Sequence, residues 1–481
     1  MSDLRILIIE DEVSWLRVLS ESLQKLGSHV KVDVAPSEGD ALAMLSRSHY
    51  DLIVLDLVLR VDFNSSDTDE SGMKLLSRIR QEGSNRDCGL IVLTGYATPE
   101  LVRKVLSDFR VNDFVEKSLF SIDSFLDVAR SALFDARLRS ATSRSENRYY
   151  LTLTLGHELL LGTDLSGPDR STGYRSERPV RFDASRLTRL GDQLSLYGQS
   201  APSKAYRISK EIQDLLAKDQ RFLGDLTAAR ALAGRFSDLW LQFSSSGSGL
   251  SFPLELLCDE GEHLALSHIL TRRLLLASAL GRKHEPFYRF MDDLRRRSAV
   301  LRILLLEDDN AEKQELRPSI CNSMKEALQQ LGILYEIHQV PVSETKFSAI
   351  SGLLRYGNFH LLHVSGASWL GGKSGMRASD LQFLVRGTDM RLVFFDCELD
   401  SSTSPLGTFF ESLARADVPV VLGYRWKLPA SAAALAQDFY RALWRTLSPG
   451  EALLEARRLI SIRDQEDCSW ASPVLLEQTA P

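Results

Sequence analysis

Cysteine is scarce and scattered in this chain: five residues among 481, at Cys88, Cys258, Cys321, Cys397 and Cys468, with no C-x-x-C pair and no histidine at zinc-ligand spacing. A disulfide framework and a structural zinc site are thereby excluded, and the thiols are expected to be reduced, as in a cytosolic protein. A basic excess is lacking too. The net charge of −6 offers no basic excess to hold a phosphate backbone, so no nucleic-acid partner is expected, and the local run Arg295-Arg296-Arg297 reads as a solvated or partner-facing helix surface. Nothing after residue 145 resembles a basic recognition helix in a helix-turn-helix setting, which disfavours a transcriptional output. No apolar run approaches ~18 residues and the first residues carry no basic-then-apolar leader, so a soluble, cytoplasmic protein without membrane contact is expected.

What the chain does contain is alternation. From residue 4 to 120, short apolar runs (RILIIE, DLIVLDL, LIVLTG, DFVEK) alternate with amphipathic stretches (VSWLRVLSESLQKLG, MKLLSRIRQ, LVRKVLSDF). That rhythm predicts parallel βαβ units in a doubly wound α/β sheet. The segment from Ser121 to about residue 147 reads as a long helix, capped by Ser121 or Asp123, that turns polar and Arg/Ser-rich past Leu138. Residues 148–298 mix polar loops with helical stretches, and from residue 299 to 481 the strand and helix alternation returns. At this length two or three domains are expected.

In an open parallel sheet the loops after the strands converge at the carboxyl edge. There the first region places Glu10 and Asp11 after its first strand, Asp56 after the third, Thr94 after the fourth and Lys117 after the fifth. Carboxylates at such an edge suit Mg²⁺, an Asp can attack phosphorus, and an ammonium pairs with the acyl phosphate. Over residues 1–120 this constellation resembles a response-regulator receiver domain of flavodoxin-like fold. The resemblance implies Asp56 as phosphoacceptor and Glu10, Asp11, Asp56 and the Val58 carbonyl as Mg²⁺ ligands. It further implies Thr94 and Phe114 as the switch pair, Lys117 as the phosphoryl contact, a sensor histidine kinase as partner, and receiver-mediated homodimerisation. Two departures stand out. The acidic loop RVDFNSSDTDESG after Asp56 is about eight residues longer than is usual in the family, and reads as a solvated insertion. Ser118 replaces the customary proline after the lysine, which puts the customary cis peptide in doubt.

LRILLLEDDN, residues 301–310, echoes LRILIIEDE at residues 4–12, yet no phosphoacceptor, Thr or Lys follows at the later strand ends. A second receiver is therefore excluded, and Glu307, Asp308 and Asp309 are expected to cap the next helix or face solvent. The later strand ends carry His363 to Ala367 and Asp396-Cys397 instead, a histidine-bearing strand beside a thiol. On residue type alone Cys397 reads more readily as a buried core thiol.

The motifs FPLELLCDEGEHLALSHILTRRL, FHLLHVSGASWLGG, RLVFFDCELD, GTFFESLARADVPVVLGYRWKLP, GEALLEARRL and WASPVLL, in this order, resemble the caspase-like cysteine proteases of the CHAT family over about residues 148–478. That resemblance implies a caspase-like α/β domain at 299–481 with an upstream pseudo-caspase half at 148–298, joined to the receiver by a helical linker at 121–147. It implies Cys397 as nucleophile, Gly366 in the oxyanion hole and a catalytic histidine at the position Ala367 occupies. Three explanations for Ala367 stand open: an engineered replacement, a natural pseudoprotease, or His363 as the alternative base, although His363 also reads as a structural core histidine. Leu254 departs from the family's tryptophan, and Ala430 stands where proteases that cut after basic residues carry an acid. Trp369 reads equally as a cleft residue or a buried aromatic. The function expected is a phosphorylation-regulated cysteine endopeptidase that cleaves a partner protein in bacterial stress or antiphage defence, with a catalytically inactive signalling adaptor as the alternative.

Overall fold

The run LRILII is buried at every position but Arg5, as a strand flanked by neighbours on both sides requires. It forms β1 (Leu4–Ile9), followed by α1 (Val13–Gln24), β2 (Val30–Ala35), α2 (Glu38–Arg47), β3 (Leu52–Leu55), α3 (Ser71–Gln81), β4 (Gly89–Thr94), α4 (Pro99–Asp108), β5 (Asp113–Glu116) and α5 (Ile122–Glu146) in a computed structural model of the protein. That structure describes residues 4–27, 29–59, 71–81, 84–95, 98–155, 159–167, 174–176, 180–181, 185–186, 189–190, 207–212, 214, 220–234, 239–245, 252–259, 261–274, 284–307, 317–341, 347–365, 376–396, 406–425, 434–463 and 469–478. The acidic loop at 60–70, Asp308, Asp309, Gly366, Ala367, Trp369, Cys397, Trp426 and Ala430 lie outside them. The chain divides into one unit of Met1–Thr142 with Lys325–Ile333 and another of Ser143–Met324 with Leu334–Pro481.

The first unit holds a five-stranded sheet in the order β2-β1-β3-β4-β5, parallel throughout. Strand order reverses beside β1, and there the carboxyl ends of β1 and β3 open a crevice. Alternating residues sort into two cores. Leu7, Ile9, Ile53, Leu55, Leu90 and Val92 pack with α3 and α4, whereas Ile6, Ile8, Val54, Ile91 and Leu93 pack with Phe125, Leu126, Ala129 and Leu133 of α5. Local chemistry starts the helices: the Ser37 hydroxyl accepts from Asp40 N–H, and Thr98 accepts from Leu101 N–H ahead of Pro99. Gly72 is required by close approach, since a Cβ there would lie 2.4 Å from the Leu57 backbone.

The second unit contributes β6 (Tyr149–Leu155), β7 (Leu159–Ser166), β8 (Tyr174–Ser176), β9 (Val180–Arg181), β10 (Leu239–Ser245), β11 (Cys258–Asp259), β12 (Glu262–His263) and β13 (Ile269–Leu274), then β14 (Leu301–Glu307), β15 (Tyr335–Pro341), β16 (Leu361–Ser365), β17 (Leu392–Asp396), β18 (Val420–Tyr424) and β19 (Pro473–Glu477). Twelve of them form one mixed sheet, ordered β15-β14-β16-β17-β18-β19-β13-β10-β6-β7-β8 with β9 on β7, while β11 and β12 form a hairpin of their own. Strands β14 to β18 repeat the order of the first sheet, and β19 closes that run antiparallel to β18 before pairing parallel with β13. Residues 148–298 and 299–481 therefore share one continuous sheet. Among the described residues no helix is long and apolar enough to cross a membrane.

Candidate functional site

Glu10, Asp56, Thr94 and Lys117 each sit on a residue that ends or just follows a strand. Glu10 follows β1, where its N–H donates to the Ala35 carbonyl, and Asp56 follows β3, where its N–H donates to the Ile9 carbonyl. The backbone ladder thus sets the two carboxylates side by side. Lys117 follows β5 and opens a short 3-10 turn. Its Nζ lies 2.7 Å from Asp56 Oδ2 and 2.7 Å from Glu10 Oε2. Val58 N–H donates to Asp56 Oδ1 at 3.0 Å, and Glu12 N–H donates to Glu10 Oε1 at 3.1 Å. The Lys117–Ser118 peptide is trans.

Burial raises the Glu10 carboxyl to about 7; the Lys117 ammonium opposes the rise and the neighbouring Asp56 charge adds to it. For Lys117 burial acts downward, but the Asp56 and Glu10 carboxylates outweigh it and the net shift is upward. One ammonium faces two almost wholly buried carboxylates, with the Asp11 carboxylate beside them. Ligand oxygens of Glu10, Asp11 and Asp56 lie within 4.8 Å of one another. Such an all-oxygen, anionic donor set fits a small hard cation.

Residues 6–128 match the family described as response regulator receiver domain. The first unit carries a receiver domain. Solved structures similar to this region include a CheY-like receiver domain protein of Methanospirillum hungatei (22% identity, 29% of this chain and 99% of that one, TM-score 0.25). They also include the response regulator TrrA of Thermotoga maritima in complex with Mg²⁺-BeF (28%, 27% and 97%, TM-score 0.22). A third is the receiver domain of a sensor histidine kinase of Pseudomonas aeruginosa with magnesium in its active-site cleft (23%, 27% and 98%, TM-score 0.23). No curated protein matches the chain.

Receiver domains take a phosphoryl group from sensor histidine kinases and bind Mg²⁺ at this edge. In this receiver Glu10, Asp11 and Asp56 would hold the cation, with the Val58 carbonyl two residues past Asp56. When bound, Mg²⁺ supplies the positive charge that offsets the crowded carboxylates and the incoming phosphoryl oxygens. Lys117 Nζ, which lies between Asp56 and Glu10, already offsets part of the same negative charge.

The Glu10 shift makes metal binding depend on pH. In the metal-free receiver the stability from keeping this carboxyl protonated is complete below its ordinary value of 4.5 and is lost as pH rises through about 7. Mg²⁺ competes with that proton, so the rise in Tm that Mg²⁺ causes should be larger at about pH 8 than at about pH 6. Equal shifts at both values would contradict the assignment of Glu10.

Thr94 is fully buried and Phe114 half-buried. Val92 is the register partner of Phe114, so Thr94 and Phe114 share the face that packs with α3 and α4. A different aromatic set faces α5. Trp15 lies under the Lys117 ammonium, 5.4 Å from ring centroid to Nζ, and meets Phe120 edge-on at 5.2 Å; Phe120 in turn lies 5.2 Å from Phe125. Sequence reasoning missed Trp15 and Phe120, and the apolar spacing at the start of α1 is the signal that could have marked the first.

In the second unit the strands read as bearing catalytic groups end side by side: Ser365, last in β16, is the register partner of Asp396, last in β17. His363 is 2% exposed. Its Nδ1 lies 3.2 Å from the Tyr440 hydroxyl and its Nε2 3.8 Å from Asp396 Oδ2, and the Phe394 and Tyr440 rings stand edge-on to it at 5.1 and 5.6 Å. Tyr440, on the helix Leu435–Thr446, was not legible beforehand, because 77 residues separate it from His363.

Proposed function

We propose that the chain is a phosphorylation-controlled, caspase-like cysteine endopeptidase, the output of a two-component system. The observation that carries this reading is the pairing of the ends of β16 and β17. Ser365 and Asp396, the last residues of these strands, are register partners, and in the sequence Gly366 and Ala367 come after the first and Cys397 after the second. In this reading the Cys397 thiolate attacks the scissile carbonyl, a histidine at position 367 protonates the leaving amine, and the Gly366 amide holds the oxyanion. With Ala367 there is no base at that position, and this form is expected to be inactive. The substrate is a partner protein, in keeping with a role in bacterial stress or antiphage defence. A sensor histidine kinase supplies the phosphoryl group, and receiver dimerisation is one route of control.

Ala367 itself favours a second reading, an adaptor that binds its partner in a phosphorylation-dependent way without cutting it. Ala367→His, compared with the same chain also carrying Cys397→Ala, separates the two. Incubated with proteins encoded beside its gene and with Asp56 phosphorylated, the first should cleave one of them and the second none. Absence of cleavage by either leaves the adaptor reading.

A further inference from the structure

The Thr94–Phe114 pair acts on the face of α3 and α4, yet the helix that leads onward in the chain, α5, packs on the opposite face of the sheet. We infer that phosphorylation reaches α5 through the Lys117–Trp15–Phe120–Phe125 contacts, and leaves it through a clasp on Glu451 that bears on the helix carrying Tyr440. The inference rests on the reading of the second unit as output, but not on the chemistry of that output.

The first half of the route consists of contacts already in place. Lys117 is the group that must let go of Asp56 or share it once a phosphoryl group is attached, because its Nζ now bridges Asp56 and Glu10. Moving that ammonium by even an ångström changes its cation–π contact with Trp15, and Trp15 is seated edge-on against Phe120. Phe120 precedes α5 by two residues and touches Phe125 in its first turn, where Phe125 is 1% exposed. Packed aromatic rings move together because cores shift between discrete arrangements and do not deform smoothly.

The second half is electrostatic. α5 runs unbroken from Ile122 to Glu146, with neither Gly nor Pro to absorb a displacement. In the second unit, Arg144 in its last turn places Nε 3.0 Å from Glu451 Oε2, and its Nη2 donates to the Thr446 carbonyl at 3.2 Å. Arg148, just beyond the helix, places Nη2 2.5 Å from Glu451 Oε1 and lays its guanidinium 4.1 Å from the centroid of the Trp240 ring. Glu451 lies in the first turn of the helix Pro449–Arg463, and Thr446 ends the helix Leu435–Thr446. One clasp thus grips the corner between two helices, where Leu447 adopts a left-handed φ of 53°. Tyr440 sits six residues, roughly 9 Å, back along the gripped helix and touches His363 on β16.

The test is hydrogen exchange on the full-length protein with Mg²⁺, with and without beryllofluoride as the phosphoryl mimic. In the wild type, beryllofluoride should change exchange in residues 435–446 by roughly fivefold or more. Phe120→Leu and Glu451→Gln should each bring that change below about twofold, while beryllofluoride still alters exchange around Lys117. Phe120→Tyr, which keeps the ring, should restore the response; a merely structural loss would not be rescued in this way. The inference is overturned if residues 435–446 do not respond in the wild type, or if both variants respond as the wild type does. Because no proteolysis is measured, failure of the endopeptidase reading leaves the result unaffected.

Discussion

Asp56→Asn should abolish labelling of the chain by acetyl phosphate in the presence of Mg²⁺. Among the described residues of the receiver, the crevice at β1 and β3 holds three carboxylates, but they are not equivalent. Glu10 is 1% exposed and drawn to about 7, so near neutral pH a good part of it carries a proton and is a poor nucleophile. Asp56 is held by Val58 N–H on one oxygen and by Lys117 on the other, which fixes the orientation of its carboxylate at the sheet edge. An amide at the same place keeps the shape and removes the nucleophile. Intact mass spectrometry reads the outcome directly: one added phosphoryl group in the wild type and none in the variant. Labelling of both to the same extent would refute the assignment. The substitution should also make the metal-free receiver more stable to heat, because it removes the charge that repels Glu10.

Glu255→Ala should unfold or nearly unfold the second unit. Glu255 is 1% exposed, and its two oxygens accept from Arg272 Nε at 3.0 Å and Nη2 at 2.7 Å, with Arg425 Nη2 at 3.1 Å as a further donor. Arg272 is fully buried. Burial by itself would raise the Glu255 pKa, but the Arg272, Arg425 and Arg457 charges more than reverse it and the carboxyl lies below its ordinary value. The carboxylate therefore adds stability above its unfolded pKa, and that stability is lost as pH falls through the depressed folded value. Burial also lowers the Arg425 and Arg457 guanidiniums to about 10, which leaves both charged at neutral pH. Deleting the carboxylate strands these cations, at a cost of about 3–5 kcal/mol for breaking one buried pair. A domain has only about 5–15 kcal/mol in total. A urea titration followed by circular dichroism should show the midpoint of the second unit collapse while that of the receiver stays put. An unchanged midpoint would mean that the cluster contributes little.

The receiver site was legible because its chemistry is written at strand ends. Each of Glu10, Asp56, Thr94 and Lys117 terminates or follows an apolar run, and in a parallel sheet every such terminus points to one edge. The Glu255 cluster was not legible. Its members come from a 3-10 turn at Leu254–Leu256, from β13, from the residue after β18 and from the helix Pro449–Arg463, and nothing in their spacing announces that they meet. The same holds for Tyr440 beside His363.

By itself, the amino-acid order determined the alternation of strands and helices in the receiver and the residues that stand at its strand ends. These follow from periodicity and from local capping, which act over a few residues. Only the tertiary structure decided that β19 returns antiparallel to β18 and then joins β13, making one sheet of two stretches of chain, and that α5 meets Trp15 and Phe120 on the face opposite Phe114. Strand partners and helix faces are chosen by contacts between residues far apart in the chain, whose energy depends on register and packing, and neither is recorded in any short stretch of sequence.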